Sequence, residues 1–425
     1  MIADSLRYLG RMLKRPMSPW GEPEWPGAVW IGACDRADIE GESPLTPEWA
    51  DGYHSARILV RDGRTLLGFV TVPITEGSVS RAAVREAVAT LPDRTPESDP
   101  PTPPISVVMC SRDRAKLLAE AMGAVLETDY PTFEVIVVDN AGSTDETREF
   151  AANHPDDRVR HVSEPRPGVS RGRNRGLRAA AYDIVAFVDD DVIVDRHWLT
   201  GLAAGFARAD DVAVVCALVA SGEIRSQPQA WFDNRVTWDD ARIPRQYRLA
   251  DPPDDVPLFP FQVGAYGTGA CFAVQRRVYE QIGALDVAMG LGTPTMGGED
   301  IDLFVRVICA GWAVAVEPAA VVWHRHRAEI SALKTQARGY GVGLGAWITK
   351  TALNPKLLRH ALPLLPAAMG RLRTLATGGS ADPEQIDRDF GLPIGYTRQL
   401  GHLEVRSALA GPGRYVRSVI AALRP

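Results

Sequence analysis

The rhythm of apolar positions changes partway along this chain, at a cluster of prolines. Upstream, residues 56–74 read ARILVRDGRTLLGFVTVPI, two apolar runs around Asp62-Gly63. Asp-Gly supplies the backbone conformation that tight turns need, so two strands around that turn are expected. SRAAVREAVATL spaces its apolar residues as a helix does, behind Ser80, a residue able to cap the first turn. Residues 20–91 thus read as a small α+β or β-rich module carrying no recognisable chemistry, suited to packing or partner docking. Six of the residues in 92–104, PDRTPESDPPTPP, are proline, which predicts a semi-stiff extended linker.

Beyond the linker, strand-like and helix-like segments alternate. ISVVMC (105–110), EVIVVD (134–139) and IVAFVD (184–189) are continuous apolar runs, as in buried parallel strands, and a short strand is expected near 159–162. RDRAKLLAEAMGAVLET (112–128) and a segment from about Ser170 have helical spacing, and Ser143 or Thr144 is placed to cap a helix between them. This order predicts an α/β fold: a Rossmann-like, mostly parallel sheet with helices on both faces, whose ligands sit at the carboxyl ends of the strands. Residues 221–266, with Trp231, Phe232, Trp238 and several prolines, read as a long irregular connection. After about 330 the chain reads as helical. LLRHALPLLPAAMGRLR (357–373) mixes apolar and basic residues, so it suits either a membrane surface or ordinary docking. The expected division is 1–91, the linker 92–104, a main domain over 105–328 and a helical region over 329–425.

Composition narrows the class. The chain has 425 residues and a formal net charge of −6. No excess of basic charge is present to neutralise phosphates, which argues against a nucleic-acid partner. Five dispersed cysteines form no C-x-x-C pair, so neither a disulfide frame nor a cysteine zinc site is expected. The first residues lack the apolar core of a signal peptide, and no apolar run approaches the ~18–20 residues that span a bilayer. A cytoplasmic protein is expected, with the C-terminal helices as candidates for peripheral contact at the inner face of the cell membrane.

Five clusters could carry chemistry. Asp189-Asp190-Asp191 follows an apolar strand, where three carboxylates repel unless a hard divalent cation neutralises them. A solvated acidic turn is the plainer reading. Asp139 ends a strand and could accept from a nucleobase or ribose, or open an Asx turn. GVSRGRNRGL (168–177) places three arginines at a helix start, which suits a phosphate or merely a solvated face. GGEDIDL (297–303) sets Glu299 and Asp300 at another helix start, either as a catalytic base beside the glycine-rich stretch 286–298 or as ordinary first-turn acids. In WHRHR (323–327), His324 and His326 share a face if the segment is a strand, as metal ligands or as a surface pair. The P-loop pattern is absent, and Ile193 stands where a phosphoaspartyl D-x-D-x-T motif needs threonine.

Taken in order, SVVMCSRDR, EVIVVDNAGSTDET, GVSRGRNRGL, IVAFVDDDV, GTGACFAV and GGEDIDLFVRV resemble the family 2 glycosyltransferases, of the inverting GT-A type, over roughly half the chain. The resemblance implies a divalent metal, Mn²⁺ or Mg²⁺, and a nucleotide-diphosphate sugar donor. Ser111 and Arg112 would border the nucleobase, Asp139 would bind base or ribose, and Arg173 would lie near the nucleotide. Asp189 and Asp191 would form the DxD pair that holds metal and ribose-diphosphate, with Asp190 among the donor-binding residues. Asp300 would be the catalytic base, Glu299 would touch acceptor or donor, and His324, or His326 in its place, would complete the metal site. The acceptor would be a glycan, a lipid-linked molecule or a small molecule. Two other classes fit less well. A sugar nucleotidyltransferase would carry a glycine-rich loop after the first strand, where this chain has CSRDRAKLL. A non-catalytic nucleotide-sugar or glycan binding protein is disfavoured by the intact carboxylates.

Overall fold

The computed structural model describes residues 12–92, 94, 99–236, 243–376 and 382–423, with only backbone for 371–376. The first strands are β1 (Met12–Leu13), β2 (Val29–Asp35), β3 (Thr46–Pro47), β4 (Ser55–Asp62) and β5 (Thr65–Pro73), followed by α1 (Arg81–Ala89). β2, β4 and β5 form a three-stranded sheet, with β2 and β4 parallel and β4 and β5 antiparallel. The expected hairpin is present, but its register pairs Asp62 with Thr65, so the turn is Gly63-Arg64 rather than Asp62-Gly63. Gly63 carries the positive φ, +58°. Ser80 caps α1 as expected, its side chain accepting from the Ala83 amide.

Both faces of this small sheet are buried. Ile58 and Val60 pack with Val84 of α1, whereas Leu59, Leu66 and Phe69 join the core of the main sheet. Phe69 meets Trp323 edge-on, with ring centroids 6.0 Å apart. Of the linker, 93 and 95–98 lie outside the described residues, as does Trp238.

The main sheet has nine strands: β6 (Ile105–Ser111), β7 (Phe133–Asn140), β8 (Val159–Glu164), β9 (Ile184–Asp189), β10 (Val192–Val194), β11 (Val212–Ser221), β12 (Arg245–Tyr247), β13 (Cys271–Gln275) and β14 (Ala313–His324). Their order is β10-β14-β11-β13-β9-β6-β7-β8, with β12 beside β14. The long pairings, β6 with β7 and β9, β7 with β8, and β11 with β14, are parallel. Short β13 runs antiparallel to both its neighbours.

Helices α2 (Ala115–Leu126), α3 (Glu146–Ala152), α4 (Val169–Ala179), α5 (Trp198–Ala207), α6 (Gln227–Val236), α7 (Arg276–Ile282) and α8 (Glu299–Cys309) complete this part. Alternate side chains of one strand point to opposite faces. Val135 and Val137 accordingly pack in one core with Leu118 of α2 and Trp198 of α5, while Ile136 and Val138 pack in the other with Leu177 of α4 and Leu303 of α8. The α/β expectation of helices on both faces is met.

Two local expectations differ. The segment 221–266 is not irregular throughout: it contains α6 and β12. Five successive α6 residues, Pro228 to Phe232, are buried, so burial on several sides leaves no amphipathic stripe to read. Neither Ser143 nor Thr144 caps α3, whose N-cap is Asp145; the Ser143 hydroxyl and amide donate instead to Asp113.

The C-terminal region is helical: α9 (Ile330–Leu353), α10 (Pro355–Ala361), α11 (Leu365–Ala376), α12 (Pro383–Asp389), α13 (Tyr396–Ala408) and α14 (Gly411–Ala422). α9 crosses α13 so closely that a Cβ on Gly345 would lie 2.0 Å from the Ala408 carbonyl oxygen, a spacing only glycine tolerates. No helix among the described residues is long and apolar enough to cross a membrane.

Candidate functional site

Strand register assembles the site. Parallel pairing sets Ser111 of β6 opposite Asp139 of β7, and Cys110 opposite Asp189 of β9, so three strands end side by side. Antiparallel pairing of β10 with β14 places His324 opposite Val192, next to Asp191. The polar ends of apolar strands, far apart in sequence, thus converge on one edge of the sheet.

Two arginines organise the carboxylates there. Arg114, just ahead of α2, donates from Nη1 to Asp190 Oδ1 at 2.6 Å and from Nη2 to Asp191 Oδ2 at 2.8 Å. The Ser111 hydroxyl donates to the other oxygen of Asp190 at 2.7 Å. Arg173 of α4 is almost fully buried and bridges two elements. Its Nη2 donates to Asp189 Oδ1 and to the Gly269 carbonyl, each at 2.8 Å, and its Nη1 donates to Glu299 Oε1 at 3.1 Å. The Phe272 ring lies against its guanidinium, 5.5 Å from the centroid.

These surroundings separate the carboxyl groups in acidity. Burial pushes Asp189 and Asp190 up to about 6, with Arg173 and Arg114 respectively opposing the shift. Asp191 is also buried, yet His324 and Arg114 together hold it below the usual carboxylate range. Burial, reinforced by the charge of Asp300, pushes Glu299 up to about 7 against the pull of Arg173. Asp300 is partly exposed at the first turn of α8, where its Oδ1 accepts from the Ile301 amide at 2.8 Å. Its other oxygen stands 2.9 Å from where a Cβ on Gly269 would be, so glycine there keeps that carboxylate clear.

Asp139 is buried, and among the described residues its Oδ1 has no hydrogen-bond partner. A Cβ on Gly142 would stand 2.7 Å from that oxygen, so the glycine leaves the carboxylate its room. A buried acceptor without a partner costs roughly 1–3 kcal/mol, a cost that a ligand donor would remove. Arg112 is half exposed, with its Nε 3.9 Å from Asp113 Oδ2.

The two histidines meet, though β14 ends at His324 and shared strand alternation is not the reason. Their Nδ1 atoms are 3.0 Å apart. His324 turns Nε2 toward Asp191 Oδ1, 3.8 Å away. His326 is buried against Phe232, and burial and the neighbouring His324 keep its imidazole uncharged, well below the usual range.

Among the described residues, no three His, Cys, Asp or Glu side chains are gathered as a metal cage. The donor chemistry of Asp191 and His324, a charged carboxylate facing an imidazole, nonetheless fits two ligands of a divalent cation. Asp189 pairs its Oδ1 with Arg173. Sequence reasoning missed Arg114, whose only signal was its position three residues beyond the end of β6. It also did not identify Arg173 as a bridge between the strand ends and α8.

Residues 106–283 match the model of glycosyl transferase family 2. The chain is similar to a pre-mycofactocin glycosyltransferase from Mycobacterium tuberculosis, 29% identical over 243 residues, covering 57% of this chain and 47% of that one. It is also similar to a glucosyl-dolichyl phosphate glucuronosyltransferase from Haloferax volcanii, 28% identical over 137 residues, 32% of this chain and 44% of that one. The chain therefore spans about half the length of these curated relatives. Among solved structures it is similar to the mannosyltransferase PcManGT from Pyrobaculum calidifontis in complex with GDP-Man and Mn²⁺, at 19% identity and a TM-score of 0.47, covering 73% of this chain and 87% of that one. The stretch that matches the family 2 glycosyl transferase model, residues 106–283, contains the three aligned strand ends and both organising arginines.

Proposed function

We propose that the protein is a metal-dependent, inverting glycosyltransferase that moves a sugar from a nucleotide-diphosphate sugar to an acceptor hydroxyl in glycan or cell-envelope biosynthesis. The observation that carries this reading is the bridge made by Arg173. It links Asp189, at the strand ends, to Glu299, beside Asp300 at the start of α8. In this reading Asp189 faces the donor and Glu299 stands next to Asp300, the proton acceptor, so one guanidinium ties the two halves of the site together.

In this reading Asp139 accepts from the nucleobase or ribose, and Ser111 and Arg112 border the base. Asp189 and Asp190 face the donor, and Asp191 and His324 hold the divalent cation. When bound, that cation supplies Lewis-acid stabilisation of the departing diphosphate. Asp300 takes the proton of the acceptor hydroxyl as its oxygen attacks the anomeric carbon, a role worth typically about 10²–10⁴-fold. Glu299, protonated in part near neutral pH, lies beside Asp300 and faces acceptor or donor. Attack from the side opposite the leaving group inverts the anomeric centre.

The acceptor side includes a membrane surface in this proposal. Residues 330–381 hold seven Lys and Arg and no Asp or Glu, within a chain of net charge −6. Leu353, Leu362, Leu365 and Met369 are exposed along the same stretch, and Val416, Ile420 and Leu423 are exposed on and just after α14. Apolar side chains among fixed positive charges suit an anionic lipid surface. A lipid-linked acceptor would meet the enzyme there.

The test is a donor panel: UDP-, GDP- and dTDP-sugars with Mn²⁺, Mg²⁺ or chelator, measuring released nucleoside diphosphate. Slow metal-dependent hydrolysis of one donor, lost in Asp191→Ala, is the expected result. Absence of both turnover and calorimetric binding for every donor in the panel would overturn the proposal.

A further inference from the structure

The contact between the two histidines is itself informative. Two imidazole Nδ1 atoms stay 3.0 Å apart only when one carries a proton and the other offers a lone pair, because two lone pairs or two N–H groups repel. Nδ1 of His324 is thereby committed to His326, and Nε2 becomes the nitrogen that faces Asp191 at 3.8 Å.

His326 is in turn held from several sides. Its ring centroid is 4.7 Å from that of Phe232. Its backbone carbonyl accepts from Gln229 Nε2 at 3.1 Å. The preceding residue, Arg325, donates to Glu223 Oε2 at 3.1 Å and to the Ser18 carbonyl at 2.8 Å, and lies over the Trp20 ring at 4.2 Å. These contacts fix the backbone on which both rings are mounted.

We propose that His326 is a positioning residue that acts through His324: its Nδ1 fixes the ring plane and tautomer of His324, so that Nε2 faces Asp191. The proposal rests on the reading above that Asp191 and His324 hold the cation. An imidazole that ligates through Nε2 carries its proton on Nδ1, and His326 is then the acceptor for that proton. The N-terminal segment gains a role as well, since Ser18 and Trp20 brace Arg325, the residue between the two rings.

The experiment is nitrogen-15 NMR of the histidine rings in the metal-free full-length protein, with Mn²⁺ affinity measured by electron paramagnetic resonance. In the wild type, His324 shows one tautomer with a hydrogen-bonded Nδ1; a mixture of tautomers overturns the proposal without any variant. His326→Phe keeps the packing against Phe232 and removes the nitrogen. It is expected to give His324 mixed tautomers and to weaken Mn²⁺ binding by about 10–100-fold, as loss of such outer partners does. His326→Asn, which returns a polar atom near the same place, is expected to recover most of that loss. Unchanged ring signals and Mn²⁺ affinity in folded His326→Phe overturn the proposal. Failure of the metal reading looks different: Mn²⁺ affinity would be indifferent to His324→Ala, while the tautomer of His324 still reports on His326.

Discussion

Replacing Arg173 by methionine removes a buried cation from between two carboxylates. Arg173 is paired with Asp189 at 2.8 Å and with Glu299 at 3.1 Å, and it donates to the Gly269 carbonyl. Removing one partner of a buried ion pair typically costs about 3–5 kcal/mol, because the buried charge left behind, here that of Glu299, has neither water nor a counterion. That cost requires the carboxylates to be ionised. Burial already holds Glu299 up at about 7 and Asp189 at about 6 with Arg173 present, and losing the arginine raises both further.

The variant's folded state therefore binds more protons than its unfolded chain from the ordinary carboxylate range upward, and its stability falls as pH rises through that window. At about pH 8 the full loss of about 3–5 kcal/mol relative to wild type is expected. At about pH 5 both carboxyls hold protons, and only unmade hydrogen bonds remain, about 1–3 kcal/mol. Urea unfolding of both proteins at the two pH values measures the difference, and groups that titrate alike in the two proteins cancel. An equal loss at both pH values, or a loss below about 1 kcal/mol at the higher one, would refute the reasoning.

Asp300→Asn should leave donor binding intact while transfer falls by about 10²-fold or more, read by calorimetry and product assay on the same sample. Gly142→Ala should weaken donor binding more than it destabilises the fold, because the new Cβ would meet Asp139 Oδ1 at 2.7 Å and turn that carboxylate aside; calorimetry beside thermal melts separates the two effects. Gly345→Ala should cost about 1–3 kcal/mol in unfolding experiments, since the Ala408 carbonyl belongs to backbone and cannot swing away. Binding to anionic vesicles should exceed binding to neutral ones and fade with salt, and co-sedimentation that ignores lipid charge would remove the membrane from the proposal.

How far the sequence could be read depended on whether a signal was local. β6, β7 and β9 were legible because strands buried on both faces are written as unbroken apolar runs, and Asp139 and Asp189 stood out as the charges that end them. α6 was not, because its neighbours bury it on several sides and erase the stripe that a helix usually shows. Arg114 was just one more basic residue until strand order set it beside Asp190 and Asp191. Which of His324 and His326 faces Asp191 likewise required distances, since the strand ends between them and alternation no longer applies.

The contact between Phe69 and Trp323 bears on how the protein is made. Residues 55–73 leave the ribosome well before β14, and Phe69 meets Trp323 only once β14 has been synthesised. During the intervening elongation, at about 5–20 residues per second, one face of a finished three-stranded sheet waits uncovered for tens of seconds. Exposed strands of that kind are the ones chaperones bind. Truncations that stop short of Trp323 should therefore fail by aggregation, with the N-terminal sheet as the sticky part.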